Sequence, residues 1–287
     1  MIRREPVVVL LLTGALLTAC TPAPSAPRAS DPVSSAAPAT SAPDPDAIRD
    51  VDFGSLTFTW DTLGVQYPVK LSDGAAQVED PYYQQTATFR LGEPTYSDAN
   101  GDGLIDAAVP LQFEAGNGIM KNWFLWLAQP DAPDAPQQIV FPIASGARCA
   151  DAVSGVEAID GGFRVHEVMR DAIESTAACA QVGTMERTRD IGAEGDGTAD
   201  GSWPVTLDGE GFGGYCPVKV ITEGERAPAQ GRVGPSDAAP QTSASGEKLF
   251  TPIQHYPFLQ PEGWMLTGFL PDEPVDDSVV CVWVEKS

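Results

Sequence analysis

Asp98-Ala99-Asn100-Gly101-Asp102-Gly103-Leu104-Ile105-Asp106, running straight into Ala107-Ala108-Val109-Pro110-Leu111, is the stretch on which the reading of this chain turns. Its pattern, D-x-N-x-D-G-x-x-D, sets oxygen-bearing side chains at alternate positions, and Gly103 permits a sharp turn. The carbonyl of Leu104 can add another oxygen, so the loop has the donor chemistry of a calcium site. The flanks decide the fold. Thr86-Ala87-Thr88-Phe89-Arg90-Leu91 leads toward the loop, and Ile105 to Phe113 leaves it with Ala107, Val109 and Leu111 on one side of a pleat. The loop is therefore expected to join two strands.

Outward from it the texture stays that of short strands and turns. Upstream, Leu56 to Trp60 alternates large residues, and Val65 to Leu71 can pair with it across the turn Asp61 to Gly64. Downstream, Gly116-Asn117-Gly118 is a turn, its Asn-Gly pair suited to positive φ. Ile119 to Ala128 follows, with Trp123, Leu125 and Leu127 on one face and Phe124 and Trp126 on the other. A strand apolar on both faces reads as central in its sheet. Pro130 to Pro136 is a loop, Gln138 to Ile143 a further strand, and Val156 to Ile159 and Phe163 to Val168 form a hairpin across Asp160-Gly161-Gly162. Gln181 to Ile191 is expected beside that hairpin, beyond a loop at Asp171 to Ala178, with a short helix over Asp171 to Ala180 as the alternative. Glu194-Gly195-Asp196-Gly197-Thr198-Ala199-Asp200 partly echoes the opening loop, but its first position is Gly192, so it reads as an acidic turn.

Glycines crowd Gly209 to Gly214 and mark a boundary. The expected fold is mostly β: an antiparallel meander or sandwich-like domain over residues 48–207, then a smaller disulfide-linked β domain over residues 208–287. The second unit holds Pro217 to Ile221, Lys248 to Phe250, Gly263 to Leu270 and Val279 to Val284 as its apolar segments.

The opening loop resembles the calcium loops of EF-hands, dockerins and FG-GAP/VCBS repeats. The resemblance implies side-chain ligation by Asp98, Asn100, Asp102 and Asp106 and carbonyl ligation by Leu104. An EF-hand places a bidentate Glu at position 12, where this chain has Val109. That departure and the strand-like flanks leave the shorter FG-GAP type of loop, whose implied role for calcium is structural. The loop occurs once, so a propeller of repeated blades is not implied.

At the N-terminus, Arg3 and Arg4 precede an apolar run from Val7 to Leu17, the length of a signal peptide and too short to span a membrane. It ends in Leu17-Thr18-Ala19-Cys20, which resembles the lipobox of bacterial lipoproteins. That resemblance implies a signal peptide over residues 1–19 and acylation of Cys20, with palmitate-type chains anchoring the protein to the cell membrane outside the cytoplasm. Stable anchoring needs two or more chains, since one acyl chain binds only marginally. Residues 20–47 are rich in Pro, Ala and Ser and are expected to be a disordered tether of roughly 30 Å or more. Cys149, Cys179, Cys216 and Cys281 remain, an even number in an exported chain, and allow three pairings. Cys149 with Cys179 and Cys216 with Cys281 is favoured, because each pair then falls inside one expected domain. Closing loops of roughly 30 and 65 residues would contribute about 3.5 and 4 kcal/mol by the chain-entropy argument.

Charge and motifs narrow the function. With 40 acidic against 17 basic side chains the formal charge is −23, which opposes a nucleic-acid partner and electrostatic docking on anionic lipid. The chain has two histidines, His166 on an alternating strand and His255 beside Pro257. Neither H-E-x-x-H nor G-x-S-x-G occurs. Ser245-Gly246-Glu247-Lys248 matches S-x-x-K without its partner motifs, and Gly209 to Gly214 matches G-x-G-x-x-G without the helix that must follow. Trp123, Trp126, Trp264 and Trp283 read as core residues ahead of a glycan platform. The spacing of Gly246-Glu247-Lys248-Leu249, Gly263-Trp264 and Trp283-Val284 resembles bacterial SH3-like domains, which bind cell-wall peptides; no binding residue is carried across on it. The expectation is a lipid-anchored envelope protein that binds or scaffolds, with a cell-wall or envelope protein as partner. The alternative is an envelope hydrolase or its accessory subunit.

Overall fold

A computed structural model describes residues 43–132, 134–148, 150–170, 178, 181, 183–207, 211–217, 230–243, 250–252, 258–269 and 280–286, which lie in the unit Ala42–Ser287. Among them there is no α-helix, only short 3₁₀ turns at Ala47–Asp50 and Phe53–Ser55, and every strand pairing is antiparallel. The fold is mostly β, as the alternation of the sequence requires.

The centre is the hairpin of β6 (Asp106–Ala115) and β7 (Gly118–Leu127), in register from Ala107 opposite Trp126 to Ala115 opposite Gly118. The expected two-faced strand is found here, and both of its faces are covered. Phe124 and Trp126 pack with Phe58, Trp60 and Phe113, while Trp123, Leu125 and Leu127 pack with Phe163, Val165 and Ile191. β6 and β7 thus form a middle layer. On one side lies the two-stranded sheet of β1 (Thr57–Thr62) and β2 (Val65–Lys70). Across the other lies the sheet of β10 (Ala152–Ile159), β11 (Gly162–Met169), β12 (Met185–Gly195) and β13 (Ser202–Thr206).

The middle sheet is completed by β3 (Ala75–Asp80), β4 (Gln85–Leu91), β5 (Thr95–Ser97), β8 (Gln137–Gln138) and β9 (Ala144–Ala147). Gln138 to Ile143 does not form one strand. Only Gln137–Gln138 is regular, although the amides of Ile139 and Ile143 still donate to Leu125 and Trp123 carbonyls. Pro142 lacks a donor and Phe141 turns into another core, so the segment straps β7 without joining a ladder.

The fourth sheet has the order β15 (Gln241–Ser243), β14 (Gln230–Arg232), β18 (Val280–Glu285), β17 (Trp264–Phe269), β16 (Phe250–Pro252). Its core gathers Trp283, Leu266, Phe212, Tyr215 and Phe141 around a Cys216–Cys281 disulfide, the expected second bridge. Cys20, Cys149, Cys179, His255, the match at Ser245 to Lys248 and nearly all of the expected loop or helix at Asp171 to Ala180 lie outside the described residues.

Candidate metal centre

The loop Asp98–Asp106 closes the hairpin between β5 and β6, with Ser97 paired to Asp106. Gly101 and Gly103 take φ of 73° and 86°, where a Cβ would strain the backbone. The acidic side chains hold the loop in shape. Asp98 Oδ1 accepts from the Gly101 amide at 2.7 Å and its Oδ2 from the Gly103 amide at 3.0 Å. Asn100 Oδ1 accepts from the Asp102 amide at 3.1 Å, and Asp102 Oδ1 from the Leu104 amide at 2.8 Å. Asn100 Nδ2 donates to Asp102 Oδ2 at 3.0 Å, which ties the two side chains together.

Asp106 is different. It is fully buried, and its two oxygens accept from the amides of Ala99 and Ala128, both at 2.9 Å. Burial pushes its carboxyl up to about 7; the Ala128 and Ala99 amides oppose that, and the charges of Asp102 and Asp98 add to it. The loop is fastened from three further sides. Leu104 packs into the β1–β2 core, Ile105 donates to the Pro45 carbonyl at 2.8 Å, and Ala193 of β12 donates to the Ala99 carbonyl at 2.7 Å.

These donors are all oxygen, the set a hard cation such as calcium takes. Among the described residues no three His, Cys, Asp or Glu side chains converge as a metal cage, so an ion here would draw on Asn100 and the Leu104 carbonyl as well. The loop suits calcium in donor type, while Asp106 spends both oxygens on the Ala99 and Ala128 amides in this structure. The second acidic stretch comes to the same place. Glu194 and Asp196, at the β12–β13 connection, line a cleft of about 670 Å³ together with Asn100, Asp102 and Asp131. Asp196 Oδ1 accepts from the Thr198 amide at 2.9 Å and hydroxyl at 2.6 Å, so this segment is the expected acidic turn.

The histidine on β11 has no such setting. His166 is 41% exposed on the sheet face, with Nε2 3.3 Å from Glu157 Oε1 and Nδ1 3.4 Å from the Thr188 hydroxyl. It lines neither the acidic cleft nor the apolar one described below. The tryptophans at 123, 126 and 283 are core residues, each at most 8% exposed.

One charged cluster has no counterpart in the motifs. Glu167 of β11 is buried between Arg187 and Arg189 of β12, at 2.7 Å and 2.9 Å. Burial raises its carboxyl, but the two guanidiniums outweigh that and hold it at about 2. Arg189 also donates to the carbonyls of Ile143, Gly213 and Gly214, and Arg187 to that of Cys216. Beside them Tyr215 donates to Asp151 at 2.7 Å. The cluster fastens the segment before the disulfide to the β11–β12 sheet, a structural task. Its signal was the alternation of Arg187 and Arg189 on one face of an expected strand.

No family model matches the chain, and no curated protein and no solved structure is significantly similar to it.

Proposed function

We propose that the chain is a lipoprotein of the bacterial envelope, anchored through lipid on Cys20, whose β body acts by binding or scaffolding and carries one structural calcium at Asp98–Asp106. The observation that supports the calcium is the position of the loop. It closes the β5–β6 hairpin at the start of the central strand, and its carboxylates are already ordered by its own amides. Asp98, Asn100, Asp102 and Asp106 would hold the ion with their side chains, and Leu104 with its carbonyl. An ion there would neutralise three neighbouring carboxylates and hold the loop rigid, and the loop in turn is hydrogen-bonded to the N-terminal segment, the end of β7 and β12. A binding role is the reading preferred to hydrolysis: among the described residues the histidine, His166, stands on an open sheet face and lines neither cleft. The membrane is then a partner through the anchor alone, and a cell-wall or envelope component is the partner of the body.

Calcium should raise the melting temperature of the purified body, and Asp102→Ala should remove that shift while the parent protein keeps it. An unshifted parent protein would sink the calcium assignment. For the anchor, Cys20→Ala should leave the precursor unprocessed or release the protein from membranes; normal cleavage with full membrane retention would rule out lipid on Cys20.

A further inference from the structure

At the far end of β6 and β7 three turns meet around a second cleft of about 580 Å³. They are the β1–β2 turn at Leu63, the β3–β4 turn at Tyr83 and the β6–β7 turn from Gly116 to Gly118. We propose that this cleft binds a small apolar or aromatic molecule carrying one anionic group.

The lining carries the first part of the argument. Trp60 and Phe113, stacked at 5.6 Å, stand with Met120 on the inner side, and Leu63, Tyr83 and Ile119 form the rim. These rim residues are 45%, 49% and 48% exposed, and Val65 and Tyr82 beside them are also exposed. Hairpin turns are ordinarily polar, so large apolar side chains gathered on them mark a contact surface. The surface is concave and of the volume of small-ligand sites, with only a few polar groups among apolar ones.

Charge carries the second part. Among the described residues no acidic side chain lines this cleft, and the one charged side chain that does is Arg148. Arg148 is held at the mouth by Nη1 donating to the Asn117 carbonyl at 3.0 Å, and no ion pair among the described residues includes it. The nearby Asp80 lies behind the rim, its oxygens saturated by Thr62, Tyr67 and the amides of Tyr82 and Tyr83. A cation over an apolar floor selects an apolar anion.

The turns are built for position more than for stability. Leu63 and Gln84 adopt φ of 51° and 52°, a conformation that costs a residue with a side chain. Asp61 pins the Leu63 turn by accepting from the Gly64 and Leu259 amides, at 2.7 Å and 2.8 Å. One pleat in from Met120, Asn122 is fully buried and neither of its side-chain polar atoms is hydrogen-bonded.

This inference deepens the reading of the chain as a binder by naming a ligand class, and its test uses no calcium, so either can fail alone. Anilinonaphthalene sulfonate and the neutral N-phenylnaphthylamine share an aromatic body and differ in charge. The parent protein, in chelator, should bind one equivalent of the sulfonate saturably by fluorescence titration. Arg148→Gln should weaken it about tenfold and leave the neutral probe unchanged, while Arg148→Lys keeps most of the affinity. Ile119→Ser should weaken both probes. Absence of saturable binding, or sulfonate binding indifferent to Arg148→Gln, overturns the proposal, and binding indifferent to Ile119→Ser as well assigns the probe to another surface.

Discussion

The two ends of β6 differ in nearly every respect that chemistry can vary. At its start the chain gathers Asp98 and Asp106 in the loop and Asp102, Asp131, Glu194 and Asp196 around one cleft, with no lysine or arginine among the described residues lining it. At its finish, roughly 30 Å away along ten residues, exposed Leu63, Tyr83 and Ile119 stand about Arg148, with no acid among the described residues lining the cleft. Carboxylates are present near both ends, but they are used differently: Asp61 and Asp80 are turned into their own turns, accepting from backbone amides, and stay out of the apolar cleft. The contrast teaches that what separates the two ends is which side chains face the cleft, acids at one and apolar residues with an arginine at the other. Each end can be broken separately.

The largest effect is expected from Asp106→Ala. It removes a fully buried acceptor of two backbone amides and leaves both unpaired beside a cavity, at a cost of about 3 kcal/mol. Urea unfolding in chelator isolates that cost from any calcium contribution. A loss below about 1 kcal/mol would mean that the loop is not the fastening point between β5, β6 and β7.

The same carboxylate predicts how the metal-free protein responds to pH. In the folded state Asp106 titrates at about 7, against an ordinary 3.8, so between those values the folded chain holds a proton that the unfolded chain has released. Its contribution is therefore full below about pH 4 and is lost as pH rises toward 7, at no more than about 1.4 kcal/mol per pH unit. Glu167 works in the opposite sense. Held at about 2 against an ordinary 4.5, it contributes above pH 4.5 and is lost as pH falls. The contributions of these two groups are greatest together near pH 4. Saturating calcium should flatten the decline toward neutral pH, since an ion replaces the proton; a decline that calcium leaves unchanged would separate Asp106 from the ion.

Much of this was legible in the sequence, and the parts that were not share a cause. β6 and β7 could be read because their apolar residues alternate or cover both faces, and the loop could be read because its ligand types recur at fixed spacing within nine residues. The β10–β11 hairpin announced itself through Asp160-Gly161. β3, by contrast, is Ala-Ala-Gln-Val-Glu-Asp, an edge strand with one half-exposed face, and composition gives it no apolar stripe to find. The apolar cleft was hidden for a different reason. Leu63, Tyr83 and Ile119 belong to three turns far apart in the chain, and each alone is an unremarked surface residue until the sheets bring the turns together. Glu167, Arg187 and Arg189 were hidden because charges alternating along a strand look like a solvated face, and only register and the covering segment from Gly211 to Pro217 make them a buried cluster.

The smallest expected effect on stability is at the other end. Leu63 sits at φ 51°, 45% exposed, in a two-residue turn where glycine is the comfortable choice. Leu63→Gly relieves left-handed strain of about 1 kcal/mol, but it gives up the burial of the covered half of the side chain and loosens the unfolded chain, so the net change stays within about 1 kcal/mol. The glycine variant should therefore unfold near the parent's urea midpoint while binding anilinonaphthalene sulfonate more weakly, because it removes part of the rim. If it is destabilised by well over about 1 kcal/mol, the side chain is packing for the fold, and the difference between the two ends narrows to one of charge.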